Sequence, residues 1–307
     1  MHLYLPIAEL SANALALILL GGVAGLFSGL FGVGGGFILT PMLIFMGIPP
    51  TVSVATSTNM IVASSFSGFL SHMKKKRVDL KMGNFLIMGG LVGVFLGVLA
   101  LQKLQRLGQV DLMITILYVS LLGTISILMA RECLQMLRAR KRGEITHLHH
   151  AFTLPQWVQN LPWQIFFARS NIHHSALLPI TLGIISGILV GLLGVGGGFI
   201  MIPMMIYILR MPIAVTVGTS LFQIIFITAA ATMLHAVSTH AVDIVLAALL
   251  LLGSTIGAQY GVRLSHRVPD YALRGLMAAL LFIVGARLAY GLFITPSDIF
   301  TLVVTPS

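Results

Sequence analysis

Acidic residues are scarce: eight Asp and Glu stand among 307 residues, against 18 Lys and Arg. Charged residues make up 8% of the chain, where a soluble globular domain carries roughly 25%. That shortage excludes an ordinary water-soluble fold. The single cysteine, Cys133, excludes a disulfide within the chain and a thiolate metal cluster, and it leaves the redox compartment undetermined. The acids Glu9, Asp79, Asp111, Glu132, Glu144, Asp243, Asp270 and Asp298 all map to loops or to the ends of apolar runs. None stands where midplane cation coordination or a carboxylate proton relay would need it, so a cation transporter is disfavoured. Catalysis finds no support either: there is no Cys/His pair, no HExxH and no pair of intramembrane carboxylates.

What the chain has in abundance is apolar length. Hydrophobic residues make up 57% and the mean hydropathy is +1.01. Most of the sequence falls into uncharged runs of roughly 17 to 25 residues, enough to cross a hydrocarbon core of ~30 Å as helix. The fold class is an all-α polytopic membrane protein. A β-barrel is excluded, because runs such as AALLLLG at 247–253 show no alternation. In this setting the net charge of +10 speaks first of topology, and neither nucleic acid nor a cofactor is needed to explain it. The first apolar run lacks a preceding Lys or Arg and a distinct cleavage pattern, and reads as a retained span.

The sequence repeats. Residues 25–41 read GLFSGLFGVGGGFILTP and residues 187–203 read GILVGLLGVGGGFIMIP. With two one-residue slips the match continues through Thr56-Ser57 on Thr219-Ser220, His72 on His235, Asp79 on Asp243, and Gly89, Gly93 and Gly97 on Gly253, Gly257 and Gly261. Two homologous halves follow, 1–130 and 177–307, joined by a polar linker at 131–176. Each half reads as a span (12–31; 177–193), a glycine break and a short segment (37–47; 199–209). Three longer spans complete each half (52–72, 83–101 and 111–130; 214–235, 241–262 and 271–293). At 1.5 Å per residue the short segments reach only about half-way across the bilayer, as half-helices starting near the midplane would.

Lys and Arg placement gives orientation. Lys74, Lys75, Lys76, Arg77 and Lys81, with Arg131, Arg138, Arg140, Lys141 and Arg142, flank two loops separated by two spans, so both loops are expected on the cytoplasmic side. If each glycine break turns the chain back, Arg210, Arg263 and Arg267 join them and chiefly Lys103 and Arg106 remain outside. If each break only unwinds one long helix, 12–47 becomes a single span of about 54 Å. The first arrangement fits length and charge better and makes the halves inverted repeats. The linker holds Trp157 and Trp163 beside Ile165, Phe166 and Phe167, and is expected to lie at the cytoplasmic interface. Its histidines, His147, His149, His150, His173 and His174, could hold a regulatory metal, but no Cys or clustered carboxylate completes a ligand set, and a solvated loop is the favoured reading.

A helix N-terminus presents unpaired N–H groups and about half a positive charge, and glycine lets a ligand approach it closely. Two such ends at the midplane would bind a small anion without a buried Lys or Arg. The candidate substrate site is therefore Gly34, Gly35 and Gly36 with Gly196, Gly197 and Gly198; close helix packing is the alternative role for these glycines. Thr56, Ser57 and Asn59 in one half and Thr219, Ser220 and Gln223 in the other could add hydrogen bonds, unless the hydroxyls bond back to their own helices. His72 and His235 are candidate gating or proton-coupling groups, with interfacial helix ends as the alternative. Arg287 either contacts the anion or snorkels outward. The glycine stripes at 89/93/97 and 253/257/261 read as helix packing.

The paired G-x-x-x-G-x-x-G-V-G-G-G-F segments, each followed by proline and then by an A/G-T-S segment, resemble the sulfite exporter TauE/SafE family of membrane transporters. The resemblance covers roughly 20–100 and 182–262 and omits the linker. It implies a multi-pass protein of the cytoplasmic (inner) membrane that exports small sulfur-containing anions, such as sulfite, sulfoacetate or related organosulfonates. It implies the anion at Gly34–Gly36 and Gly196–Gly198, near Thr56, Ser57, Thr219 and Ser220. A passive anion channel, or an importer of thiosulfate or another small oxyanion, stays open beside it, as does the oligomeric state, a homo-oligomer being one option.

Overall fold

A computed structural model describes residues 2–8, 10–106, 110–141, 163–170, 172–239, 241–265 and 270–293. Ten helices stand among the described residues. They are α1 (Ala14–Phe31), α2 (Gly36–Phe45), α3 (Pro50–Lys74), α4 (Leu80–Arg106) and α5 (Val110–Lys141), then α6 (Leu177–Leu193), α7 (Gly198–Tyr207), α8 (Ile213–Ser238), α9 (Ile244–Ser265) and α10 (Asp270–Phe293). Six are long and apolar enough to cross a membrane, and the chain is an all-α polytopic membrane protein. The order long, short, long, long, long occurs twice. Both short helices, α2 and α7, have ten residues, about 15 Å of rise.

The helix ends follow from local chemistry. Asn13 caps α1, its side chain accepting the Leu15 N–H at 3.0 Å. Gly32 and Gly194 end α1 and α6 in the left-handed region, each donating its N–H to the carbonyl four residues back. Pro50 opens α3, where a missing N–H costs nothing.

A β-hairpin that the sequence reading did not anticipate precedes α1 and, within the segment read as linker, another precedes α6. Strand β1 (His2–Leu5) pairs with β2 (Leu10–Asn13), and β3 (Gln164–Phe167) pairs with β4 (Ile172–Ser175), both antiparallel. The first register sets His2 opposite Asn13 and the second Gln164 opposite Ser175, positions separated by the same 162 residues that relate Gly25 to Gly187. The segment at 163–167, expected to lie along the interface, is thus partly a strand, and α5 continues to Lys141, past the expected start of the linker. Trp157, His147, His149 and His150 lie outside the described residues.

The chain turns back at each glycine break. The far end of α2 returns to the first hairpin: a Cβ on Gly47 would lie 3.9 Å from Leu10 Cδ1, and Leu5, Leu43, Ile48 and Leu246 share one apolar cluster. In the second half, His174 Nε2 donates to the Leu209 carbonyl at 3.1 Å, and Phe167, Met82, Met205 and Leu209 share another cluster. Burial and the nearby Arg210 charge hold the His174 pKa below its ordinary 6.5, so the ring is kept neutral at neutral pH, as its Nε2–H donation to a carbonyl suits. Helix α3 runs from the first hairpin's end of the bundle to the second's, so the hairpins sit at opposite ends.

The closest packing runs along two seams, α1 on α9 and α4 on α6. Each seam is lined by glycine from both helices. A Cβ on Gly21, Gly25 or Gly29 would overlap the carbonyl oxygens of Leu250, Ser254 or Ala258, and one on Gly253, Gly257 or Gly261 those of Ile18, Gly22 or Leu26. The α4–α6 seam repeats the pattern with Gly89, Gly93 and Gly97 against Ile180, Ile184 and Ile188, and Gly183 and Gly187 against Leu86 and Gly90. Backbone meets backbone, as in small-residue contacts between helices in lipid. Substituting Gly253 by Val should lower stability by about 1–3 kcal/mol through overpacking, read as an earlier midpoint in thermal melting of the purified protein. Gly123, with nothing within 4 Å of its would-be Cβ, is the comparison: Gly123→Ala should leave the midpoint unchanged or raise it.

Candidate functional site

The two glycine breaks meet at the centre of the bundle. Gly34 and Gly35 have φ of 88° and 74°, Gly196 and Gly197 of 78° and 68°, values that L side chains rarely adopt. These turns aim the first residues of α2 and α7 across each other. A Cβ on Gly36 would lie 2.7 Å from the Gly194 carbonyl oxygen, and one on Gly198 would lie 2.6 Å from that of Val33. Ile61 of α3 and its repeat counterpart Ile224 of α8 close the crossing, each touching glycines of both breaks. Phe37 and Phe199 pack together beside it, ring centroids 5.7 Å apart. All six predicted glycines are buried, so the structure brings them together in one place.

The ends that meet there differ in how they are satisfied. At the C-terminus of α6, Tyr118 donates its hydroxyl to the Leu193 carbonyl at 2.5 Å. At the N-termini of α2 and α7 the capping residues are Gly35 and Gly197, and neither end has a side-chain cap. The positive ends of two half-helices therefore converge without an acidic or hydroxyl side chain bound to them.

At the first break and on helices that flank the crossing, several buried polar atoms have no protein partner. Gln223, 1% exposed and next to Ile224 in sequence, has neither its amide oxygen nor its amide nitrogen hydrogen-bonded. Ser65 Oγ, 3.4 Å from the Cβ position of Gly34, and the hydroxyls of Ser28 and Thr40 are likewise unpartnered. Ser28 Cβ is 3.1 Å from the Cβ position of Gly35. Buried polar groups are nearly always paired, so such a cluster calls for a water or ligand partner. The sequence reading named Gln223 but missed Ser28, Thr40 and Ser65. The available signal was their position: Ser28 interrupts the first glycine string, and Ser65 is a hydroxyl in an apolar span.

The remaining predicted residues have partners or positions of their own. Ser57 and Ser220 donate to the carbonyls of Ser53 and Val217 in their own helices. Thr56 Oγ1 accepts the Asp243 N–H at 3.3 Å and Thr219 Oγ1 accepts the Asp79 N–H at 2.9 Å, so both threonines hold the loops entering α9 and α4. Asn59 is half-buried. His235 is fully buried near the end of α8, and His72 is half-buried near the end of α3. The Arg287 guanidinium lies over Phe45, 5.4 Å from the ring centroid, and near Tyr290. Phe45 is the last residue of α2, so Arg287 sits at the outer end of that half-helix, away from the break, where a cation suits the carbonyl end.

Asp79 and Asp243, read from sequence only as loop acids, are the structure's main additions. Asp79 Oδ1 caps α4 through the Met82 N–H at 3.1 Å, while Oδ2 accepts the N–H and hydroxyl of Ser170 in the second hairpin. Asp243 Oδ1 caps α9 through the Leu246 N–H at 3.0 Å, while Oδ2 accepts the N–H groups of Ile7 and Ala8 in the first hairpin. Both carboxylates are buried, 2% and 0% exposed. Each ties its own half to the hairpin of the other.

A family model described as Sulfite exporter TauE/SafE matches residues 17–288. The probable membrane transporter protein YjnA of Bacillus subtilis (strain 168) is 30% identical over 278 residues, 90% of this chain and 99% of that protein. YunE of the same organism, also named a probable membrane transporter protein, is 26% identical over 286 residues, 90% of this chain and 98% of its own. The Arabidopsis thaliana protein named Sulfite exporter TauE/SafE family protein 3 is 33% identical over 96 residues, 31% of this chain and 20% of its own. No solved structure gives a significant match.

Asp79→Ala leaves three hydrogen donors in want of an acceptor and frees the second hairpin. It should cost about 3 kcal/mol, measured as a lowered unfolding midpoint, with the hairpin at 164–175 becoming susceptible to limited proteolysis before the rest of the protein.

Proposed function

The chain belongs to the sulfite exporter TauE/SafE family, and on that premise we propose that it carries small sulfur-containing anions, sulfite, sulfoacetate or a related organosulfonate, outward across the cytoplasmic membrane. The observation that carries this reading is the meeting of two uncapped half-helix N-termini, with the unpartnered hydroxyls of Ser28 and Ser65 beside the first break and the unpartnered amide of Gln223 on the helix that carries Ile224. Those ends attract negative charge, and an amide together with the free hydroxyls of Ser28 and Ser65 supplies hydrogen bonds to an oxyanion. No fixed cation is needed. A site that binds through partial charges holds an anion without the deep well a buried arginine would create, which suits a carrier that must also release its cargo.

The polar partners differ between the halves: Gln223 corresponds to Met60 and Ser28 to Val190. An asymmetric set fits an anion with one charged end. The repeated halves, 1–130 and 177–307 with their preceding hairpins, act as inverted units that expose the crossing alternately to each side. The end bearing Lys74–Arg77, Lys81, Arg210 and Arg263 faces the cytoplasm, by the preference of Lys and Arg for that side. Export of an anion then runs down an inside-negative potential, worth ~2.3 kcal/mol per charge per 100 mV, so the energetics require no coupling ion.

Binding is tested on purified, detergent-solubilised protein by titrating sulfite, sulfate, thiosulfate and sulfoacetate, with chloride as control, and following the melting temperature. One sulfur oxyanion should raise it selectively, and Gln223→Leu should reduce that rise at least several-fold while leaving the anion-free midpoint near wild type. An undiminished rise in the variant rejects the central site. Topology is tested in a Cys133→Ser background with Lys75→Cys and Lys103→Cys: an impermeant thiol reagent added to intact cells should label only the variant at 103, and labelling only at 75 reverses the orientation.

A further inference from the structure

A cavity lies at the end of the bundle that carries most of the basic residues, between the α3–α4 loop and the second hairpin. Its volume is about 550 Å³. Lys76, Lys81 and Arg169 bring three cations to it, and Met73, Leu80 and Phe166 supply an apolar wall; all six side chains are exposed. Asp79 also borders the cavity, but both of its oxygens are committed to Met82 and Ser170. Lys81 Nζ donates to the Phe166 carbonyl at 3.3 Å, which points its ammonium along the cavity rim and leaves two donors. Trp163, 72% exposed at the start of the same hairpin, marks the depth of the headgroups.

We propose that this cavity binds an anionic phospholipid of the surrounding leaflet, its phosphodiester on Lys76, Lys81 and Arg169 and an acyl chain along Leu80, Phe166 and Met73. Charge complementarity names the headgroup, and the continuity of the cations with an exposed apolar wall names a lipid over a free anion. Basic clefts between helices at the membrane surface recognise such headgroups. The repeat supplies an internal comparison. At the opposite end of the bundle the position of Arg169 is taken by Ile7 and that of Lys81 by Val245, while Tyr4 stands for Phe166. Part of the apolar wall recurs there, with Ile244 for Leu80, while the cations at 81 and 169 do not. The charge is thus a property of one end and not a requirement of the hairpin fold, as expected for a site that reads a negatively charged leaflet. This assignment is independent of what crosses the protein at its centre.

The test uses the full chain in a neutral detergent, stripped of lipid, with native mass spectrometry reading the binding of dioctanoyl phosphatidylglycerol, dioctanoyl phosphatidylcholine and glycerol 3-phosphate. Phosphatidylglycerol should bind at least tenfold more tightly than phosphatidylcholine. The double variant Lys76→Gln/Arg169→Gln should lose about tenfold in phosphatidylglycerol affinity, with its lipid-free melting temperature unchanged, while Lys103→Gln/Arg106→Gln at the other end should have no effect. Equal binding of the two lipids, or wild-type affinity in the double variant at 76 and 169, overturns the proposal. Full competition by glycerol 3-phosphate at equal concentration also overturns it, in favour of a free-anion site.

Discussion

The structure depends on backbone-to-backbone contact along two glycine-lined seams. Lipid tails are as apolar as leucine, so burying hydrophobic side chains gives little drive for helices to associate within a bilayer, and packing density must do it instead. Glycine at every fourth position on α1 and α9, and again on α4 and α6, lets these helices approach until only backbone separates them. Both seams join the first half of the sequence to the second. The two halves are therefore interlocked: α1 packs more closely on α9 than on any helix of its own half, while the half-helix α2 packs chiefly on α3.

That constraint sets the geometry at the centre. Because α1 and α6 are held against helices of the opposite half, their C-terminal ends stop at the same depth, and the left-handed glycines after them send α2 and α7 back the way the chain came. The crossing that results is tight enough that Gly36 and Gly198 touch the backbone of the other break. Glycine is needed here twice over, once for the positive φ of the turn and once for the approach. The outer ends are secured by charge instead of packing. Asp79 and Asp243 each satisfy a helix N-terminus and a hairpin turn at once, which removes the cost of burying a carboxylate by giving it several hydrogen bonds. Most cationic side chains collect at one end, and the cavity beside the second hairpin acquires its charge from that bias.

Much of this was legible from residue order. The number and order of the helices, the half-length of α2 and α7, and the turning back at GVGGG follow from span length, glycine placement and charge, whereas α5 runs eleven residues past its expected end at 130. The stripes at Gly89, Gly93 and Gly97 and their repeats were readable as packing surfaces, though not which helix each would meet. The hairpins were not readable: four-residue strands such as HLYL or QIFF carry too short a pattern, and an isolated hairpin is marginal until Leu5 or Phe167 is buried against the bundle. Nor was the division among hydroxyls. Thr56, Ser57 and Ser65 lie on one helix within three turns, yet one serves a loop, one bonds its own backbone and one faces the break.

The sequence by itself determined the solvent, the number of helices among the described residues and the location of the breaks, because these depend on short-range properties: the length of an apolar run and the φ that only glycine adopts freely. Only the tertiary structure decided which polar groups are left without partners at the centre. A hydroxyl or amide in a span is satisfied or orphaned by whatever stands opposite it, and what stands opposite Ser65 is the glycine break after α1. The pairing of Asp79 with Ser170 and of Asp243 with Ile7 is of the same kind, since a carboxylate's partners are set by which hairpin the fold brings to it.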